Sequence, residues 1–114
     1  MRIKQVPAAI LVAASIALPF PAWADDGPFA ISLTLKDHKF EPAEIKAPAN
    51  KPIEITLKNE DGAFEEFDSS ALRTEKIVTG HGTITIKLKP QAPGRYPFEG
   101  EYHAKTAQGM LVVE

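Results

Sequence analysis

From residue 31 onward, apolar and polar positions alternate with a period of two. Ile31, Leu33 and Leu35 are interleaved with Ser32, Thr34 and Lys36, and Ile53, Ile55 and Leu57 with Glu54, Thr56 and Lys58. Ile84, Ile86 and Leu88 are interleaved with Thr85, Lys87 and Lys89 in the same way. Successive side chains of a strand point to opposite faces, so each run predicts a half-buried strand. Tyr96 and Phe98 alternate with Arg95 and Glu99, Leu111 and Val113 close the chain, and Glu44-Ile45-Lys46-Ala47 adds a shorter strand. The connections carry turn chemistry. Pro48-Ala49-Asn50-Lys51-Pro52 is a loop bounded by prolines in which Asn50 suits a left-handed conformation, and Gln91-Ala92-Pro93-Gly94 reads as a β-turn. After the first two dozen residues no long window keeps a helical period, which limits helix to a turn or two around Ala71-Leu72 or His103–Thr106. The pattern predicts an all-β sandwich of about seven strands.

The N-terminus breaks this pattern. Arg2 and Lys4 precede an almost unbroken apolar run from Val6 to Leu18, and Ala22-Trp23-Ala24 supplies a small-residue cleavage site before Asp25. These features predict a signal peptide over residues 1–24, cleaved after Ala24, and an exported, periplasmic domain over residues 25–114. The apolar run is short for a bilayer span and is followed by Pro19 and Pro21, so the domain is not expected to be membrane-embedded. Removing Arg2 and Lys4 leaves 13 − 2 = 11 basic residues against 15 acidic ones, a net charge of −4. An acidic domain of this size is a poor nucleic-acid binder. The sequence has no cysteine, which excludes disulfides, thiolate metal sites and a cysteine nucleophile. Ser69-Ser70 has no nucleophile-elbow context, and there is no P-loop or zincin motif.

Three stretches carry a family resemblance. Phe40-Glu41-Pro42-Ala43-Glu44-Ile45-Lys46-Ala47-Pro48-Ala49, Ile53-Glu54-Ile55-Thr56-Leu57-Lys58-Asn59-Glu60-Asp61 and Pro93-Gly94-Arg95-Tyr96-Pro97-Phe98 together resemble the cupredoxin framework, which implies a Greek-key sandwich. In that family the Asn-x-Asp stretch leads into a first histidine ligand, and the Pro-Gly-x-Tyr-x-Phe stretch into a cysteine, a second histidine and a methionine. Here Glu65 or Glu66 falls at the first position, Gly100 near the second, His103 at the third, and Ala107–Gln108 near the fourth, with Met110 beyond it. A trigonal copper–thiolate site is therefore excluded. Glu65-Glu66-Phe67-Asp68-Ser69, Leu72-Arg73-Thr74-Glu75-Lys76 and Glu101-Tyr102-His103-Ala104-Lys105-Thr106-Ala107-Gln108-Gly109 resemble more closely the EfeO-type cupredoxin-like proteins of bacterial ferrous-iron uptake. That resemblance implies copper or iron as cofactor, a ferroxidase-type accessory activity, and an iron permease or membrane electron-transfer protein as partner.

The residues support a metal site on their own chemistry. Carboxylate oxygens and an imidazole suit Cu(II) and either oxidation state of iron. Glu65, Glu66, Glu101 and His103 are the expected ligands, if the Glu pair and Glu-x-His meet at one end of the sandwich. The competing reading makes these carboxylates solvated loop charges on a sandwich that serves as a scaffold or adhesion module and has lost its metal. His38 is a candidate accessory ligand or a solvated loop residue, His81 a turn residue, Met110 a packing residue, and Asp68 and Ser69 caps for the turn at Ala71-Leu72. Pro97 is out of place in an interior strand and belongs at an edge or bulge. Whether the protein forms a homodimer is left open by the sequence.

Overall fold

A computed structural model describes residues 27–114, so the expected signal peptide lies outside the described residues. Among the described residues nine strands form two sheets. One has the order β2-β1-β4-β7, with β1 Phe29–Lys36, β2 Lys39–Glu41, β4 Ile53–Asn59 and β7 Thr83–Leu88. The other has the order β3-β9-β8-β5-β6, with β3 Glu44–Ala47, β5 Glu65–Ser69, β6 Thr74–Val78, β8 Gly94–Gly100 and β9 Gln108–Val113. The chain leaves the first sheet after β2, adds β3 to the second parallel to β9, and returns as β4 parallel to β1. Other pairings are antiparallel. The all-β sandwich is thus observed. No helix among the described residues is long and apolar enough to cross a membrane.

The alternation decides which faces meet. Leu33, Leu35, Ile53, Ile55, Leu57, Ile86 and Leu88 from one sheet are buried against Ile45, Ala47, Phe67, Val78, Phe98, Leu111 and Val113 from the other. Phe67 and Phe98 stack at 4.9 Å between ring centroids, and Phe40 meets Phe98 edge-on at 5.0 Å. Removing water from these faces is the main driving force for closing the sandwich.

Three strands, β2, β5 and β6, lie outside those named from the sequence, and in the last two charge masks the period. In β5, Glu65, Phe67 and Ser69 point inward while Glu66 and Asp68 are less buried. In β6 only Val78 is buried, because the strand lies at the sheet edge. Asn50 adopts the expected left-handed conformation, at φ 61°. Ser69 caps the following turn: its Oγ accepts from Leu72 N at 3.0 Å. The same hydroxyl donates to Pro97 O at 2.7 Å, which explains the tolerated proline. Carbonyl and amide of one strand residue point to the same side, and β5 is laddered to β8 only at Glu99 and Gly100. The missing N–H of Pro97 therefore faces a place where no ladder bond is made.

Candidate metal centre

At one end of the sandwich the inward rows of β4, β5 and β8 finish in Asn59, Glu65 and Gly100, so the apolar core gives way to polar groups. Asn59 is fully buried and fully used. Its amide donates to Ala63 O at 2.8 Å and Thr79 O at 3.1 Å, and its oxygen accepts from Asp61 N at 2.9 Å. Asp61, so placed, receives both amides of the β1–β2 turn: Asp37 N at 2.8 Å on Oδ1 and His38 N at 3.0 Å on Oδ2. That turn has two residues, Asp37 at φ 53° and His38 at φ 58°. A two-residue hairpin favours this geometry, and glycine or asparagine is usual there. A left-handed residue with a side chain costs roughly 1–2 kcal/mol. Burial works to raise the Asp61 carboxyl, but the two turn amides, together with the positive charge His38 and His103 carry when protonated, outweigh it and hold it below its ordinary value.

Glu65 is 1 % exposed and its carboxylate is satisfied from three sides. Oε1 accepts from Glu66 N at 2.9 Å and Tyr102 N at 2.8 Å, and Oε2 lies 2.6 Å from His103 Nδ1. A carboxylate oxygen accepts, which assigns a proton to Nδ1; in the neutral form of the ring the lone pair is then on Nε2. His38 stacks on the same ring, with centroids 3.7 Å apart and planes 14° from parallel. Two lone pairs lying in parallel planes do not converge on one ion, so this stack is not a two-imidazole chelate.

The Glu pair is divided between the faces of the sheet. Glu65 turns inward to His103, whereas Glu66 turns outward to Glu101 and Glu75, whose oxygens lie within 4.8 Å of one another. Glu101 and His103 share one short 3-10 turn, Glu101–His103, which links the two groups along the chain. Asp68 stands directly opposite Glu75 on one neighbouring strand and Glu99 on the other. Like charges so placed destabilise a sheet. No lysine or arginine among the described residues forms an ion pair with Glu66, Asp68, Glu75, Glu99 or Glu101. The Glu101 carboxyl is accordingly held above its ordinary value, first by the charge of Glu66, then by desolvation and by Asp68 and Glu75. Desolvation and the charges of Glu66 and Glu101 likewise push up the Tyr102 hydroxyl. Phe64 and Tyr102 form an exposed edge-to-face pair beside these groups, at 5.3 Å.

Of the four expected ligands, then, Glu65 and His103 form one pair, and Glu66 and Glu101 belong to a second group with Glu75. His38 is packed on His103. His81 is exposed at φ 57° and donates its amide to Asp61 O at 2.9 Å, and Met110 pairs across the sheet with Pro97 and Glu44. Glu75 and Asp61 stand in the stretches that carry the resemblance but are not among the expected ligands; Glu75 reads from the sequence as an ordinary strand-edge charge. The legible signals were the register of a strand at residues 74–78 and a two-residue turn at Asp37-His38 that needs an acceptor.

A trigonal thiolate set does not fit this end. A side chain at residue 100 would put its Cβ 2.8 Å from Glu65 Cδ and Oε2 and 2.8 Å from Ala107 Cβ. Glu65 occupies the space a residue-100 side chain would need. The donors that remain do not gather into one centre: the carboxylates of Glu66, Glu75 and Glu101 converge as oxygen donors of the kind a hard cation takes, and His103 offers its one imidazole nitrogen apart from them.

Two sheets with the strand orders β2-β1-β4-β7 and β3-β9-β8-β5-β6, packed face to face, define a β-sandwich of cupredoxin type. The chain belongs to the Cupredoxin-like domain family, which it matches over residues 8–113. It is 40% identical over 93 residues to an uncharacterized protein of Rickettsia prowazekii (strain Madrid E), a match spanning 82% of this chain and 74% of that one. Among solved structures it is similar to auracyanin A, a "blue" copper protein of Chloroflexus aurantiacus, with a TM-score of 0.66 and 18% identity over 77% of this chain and 100% of the other. It is also similar to the metal-binding domain of the Streptococcus pneumoniae D39 Cu(I)-exporting P-type ATPase CopA, solved with Cu(I), with a TM-score of 0.64 and 21% identity over 75% and 84%. These structural likenesses show the shared fold.

Proposed function

We propose that the protein is an exported, periplasmic metal-handling member of its family that assists ferrous-iron uptake. The observation that carries this reading is the Glu65–His103 pair at 2.6 Å. A metal-bound histidine commonly donates its other ring N–H to a carboxylate, which fixes tautomer and ring plane. His103 is arranged in that way with Nε2 free. Glu65, with both oxygens engaged, orients the ligand. The copper-containing neighbours support copper as the resident metal; His103 Nε2 would help to hold it, and it would supply a one-electron acceptor there.

Fe(II) is the substrate in this reading. Glu66, Glu75 and Glu101 offer the oxygen donors a hard cation prefers, and their mutual repulsion is relieved by taking one up. Oxidation to Fe(III) releases one electron, which passes on to a membrane electron carrier, while an iron permease receives the ion. Calorimetric titration of the purified protein with Cu(II) and Fe(II) tests this. His103→Ala should abolish Cu(II) binding and Glu66→Gln should weaken Fe(II) binding, with the fold retained. Deletion of the gene should reduce ferrous-iron uptake.

The closed Glu65–His103 pair also favours a second reading, since it satisfies both groups without an ion. A scaffold or adhesion module would bind neither metal in the same titrations.

A further inference from the structure

The fold places two left-handed residues, Asp37 and His38, at the one hairpin that reaches the His103 ring, and aims a single carboxylate at both of their amides. We propose that Asp61 is a positioning residue which, through the β1–β2 turn, holds His38 flat against His103 and so fixes the plane in which His103 Nε2 is presented. This rests on the reading of His103 as a metal ligand.

The argument follows the contacts outward from the core. Asn59 is buried and spends its side chain on Ala63, Thr79 and Asp61, which fixes the Asp61 backbone relative to β4 and the β6–β7 turn. Asp61 then grips the turn with one oxygen on each amide. A bidentate carboxylate sets an orientation as well as a distance. Held by both amides, the turn can keep a conformation its residues otherwise disfavour. The outcome is the 3.7 Å stack of His38 on His103. Glu65 alone leaves His103 free to swing about the Nδ1 hydrogen bond; a ring packed against its face removes that freedom. His38 therefore acts through its flat face, and its parallel lone pair plays no part in coordination.

Two kinds of measurement separate this arm from the metal-binding reading. In the metal-free protein, stacking shifts the ring protons of His38 and His103 upfield through mutual ring currents. Asp61→Ala should abolish those shifts while the amide spectrum of the rest of the domain persists. Asp61→Asn, which keeps one acceptor oxygen, should reduce them and serves if the alanine variant does not fold. In Cu(II) titrations, Asp61→Ala and His38→Ala should each lower affinity by ~10–100-fold, the usual size of losing a group that orients a ligand. His38→Phe, which restores a flat ring without nitrogens, should recover most of what His38→Ala loses. The proposal is overturned if the ring-current shifts survive Asp61→Ala and Asp61→Asn, or if His38→Phe binds copper as poorly as His38→Ala. If the parent protein binds no Cu(II), the metal-binding reading fails, and the role of Asp61 in orienting a ligand fails with it. Loss of the ring-current shifts in the Asp61 variants would then establish only how the ring stack is held.

Discussion

Replacing Glu65 by glutamine keeps the shape of a side chain that is 1 % exposed and changes only its charge and one donor. The variant oxygen can still accept from Glu66 N and Tyr102 N, but the new amide hydrogens face His103 Nδ1. That nitrogen must then accept, so the ring proton moves to Nε2. The energetic cost follows from three hydrogen bonds that lose their charge assistance, at about 1 kcal/mol each. Part of this is returned because an uncharged amide is cheaper to bury than a carboxylate. The net expectation is a loss of about 1–3 kcal/mol, or a drop in Tm of about 8–16 °C at the middle of that range for a domain of this size. Thermal and urea melts measure the loss, ring-nitrogen NMR reads the tautomer, and Cu(II) calorimetry should show much weaker binding. A cycle with His103→Ala isolates the pair, with an expected coupling of about 0.5–3 kcal/mol. A variant that melts like the parent and keeps its proton on Nδ1 would refute the reasoning.

Four further outcomes are expected. The Cu(II) form should show only weak ligand-field absorption, because the sequence has no cysteine to give an intense thiolate charge-transfer band; an intensely blue complex would contradict the site. Glu101→Gln should raise Tm at neutral pH: its folded-state acidity is weakened by Glu66, so the ionised parent carboxylate destabilises, and the difference should vanish as pH falls through the carboxylate range. Asp61→Asn should behave oppositely, because a lowered folded-state value stabilises above the unfolded value and that contribution is lost in acid; melts that do not converge at low pH would count against it. Gly100→Ala should cost about 1–3 kcal/mol in a urea melt, since its new Cβ meets Glu65 and Ala107 at 2.8 Å.

Where a strand buried one apolar face, its position could be read from the sequence: Ile31 to Lys36, Ile53 to Lys58 and Ile84 to Leu88 lie within β1, β4 and β7. The strand β5 was hidden because its inward row begins with Glu65 and ends with Ser69, so the period of two is carried by Phe67 alone. This also hid the division of the site. Adjacent glutamates look like one pair in sequence, yet on a strand they point to opposite faces. Glu75 reads from the sequence as a strand-edge charge, because its partnership with Glu66 and Glu101 depends on the β5–β6 register. The clamp on His38 was illegible for a similar reason. Asp61 is 23 residues away from the turn it holds. The resemblance pointed to His103, but it could not foresee that Glu65 would satisfy its Nδ1.

The shared space of residues 65 and 100 constrains the order in which such a site can change. A carboxylate at 65 and a cysteine at 100 would collide, so a lineage passing from a thiolate centre to this one must lose the side chain at 100 before gaining Glu65. The reverse route carries the same restriction. Gly100→Cys alone is harmful while Glu65 remains, and tolerable once residue 65 has been shortened, a sign change that depends wholly on genetic background. Selection acting one substitution at a time would therefore meet a barrier here rather than a slope, and each arrangement would tend to persist once acquired.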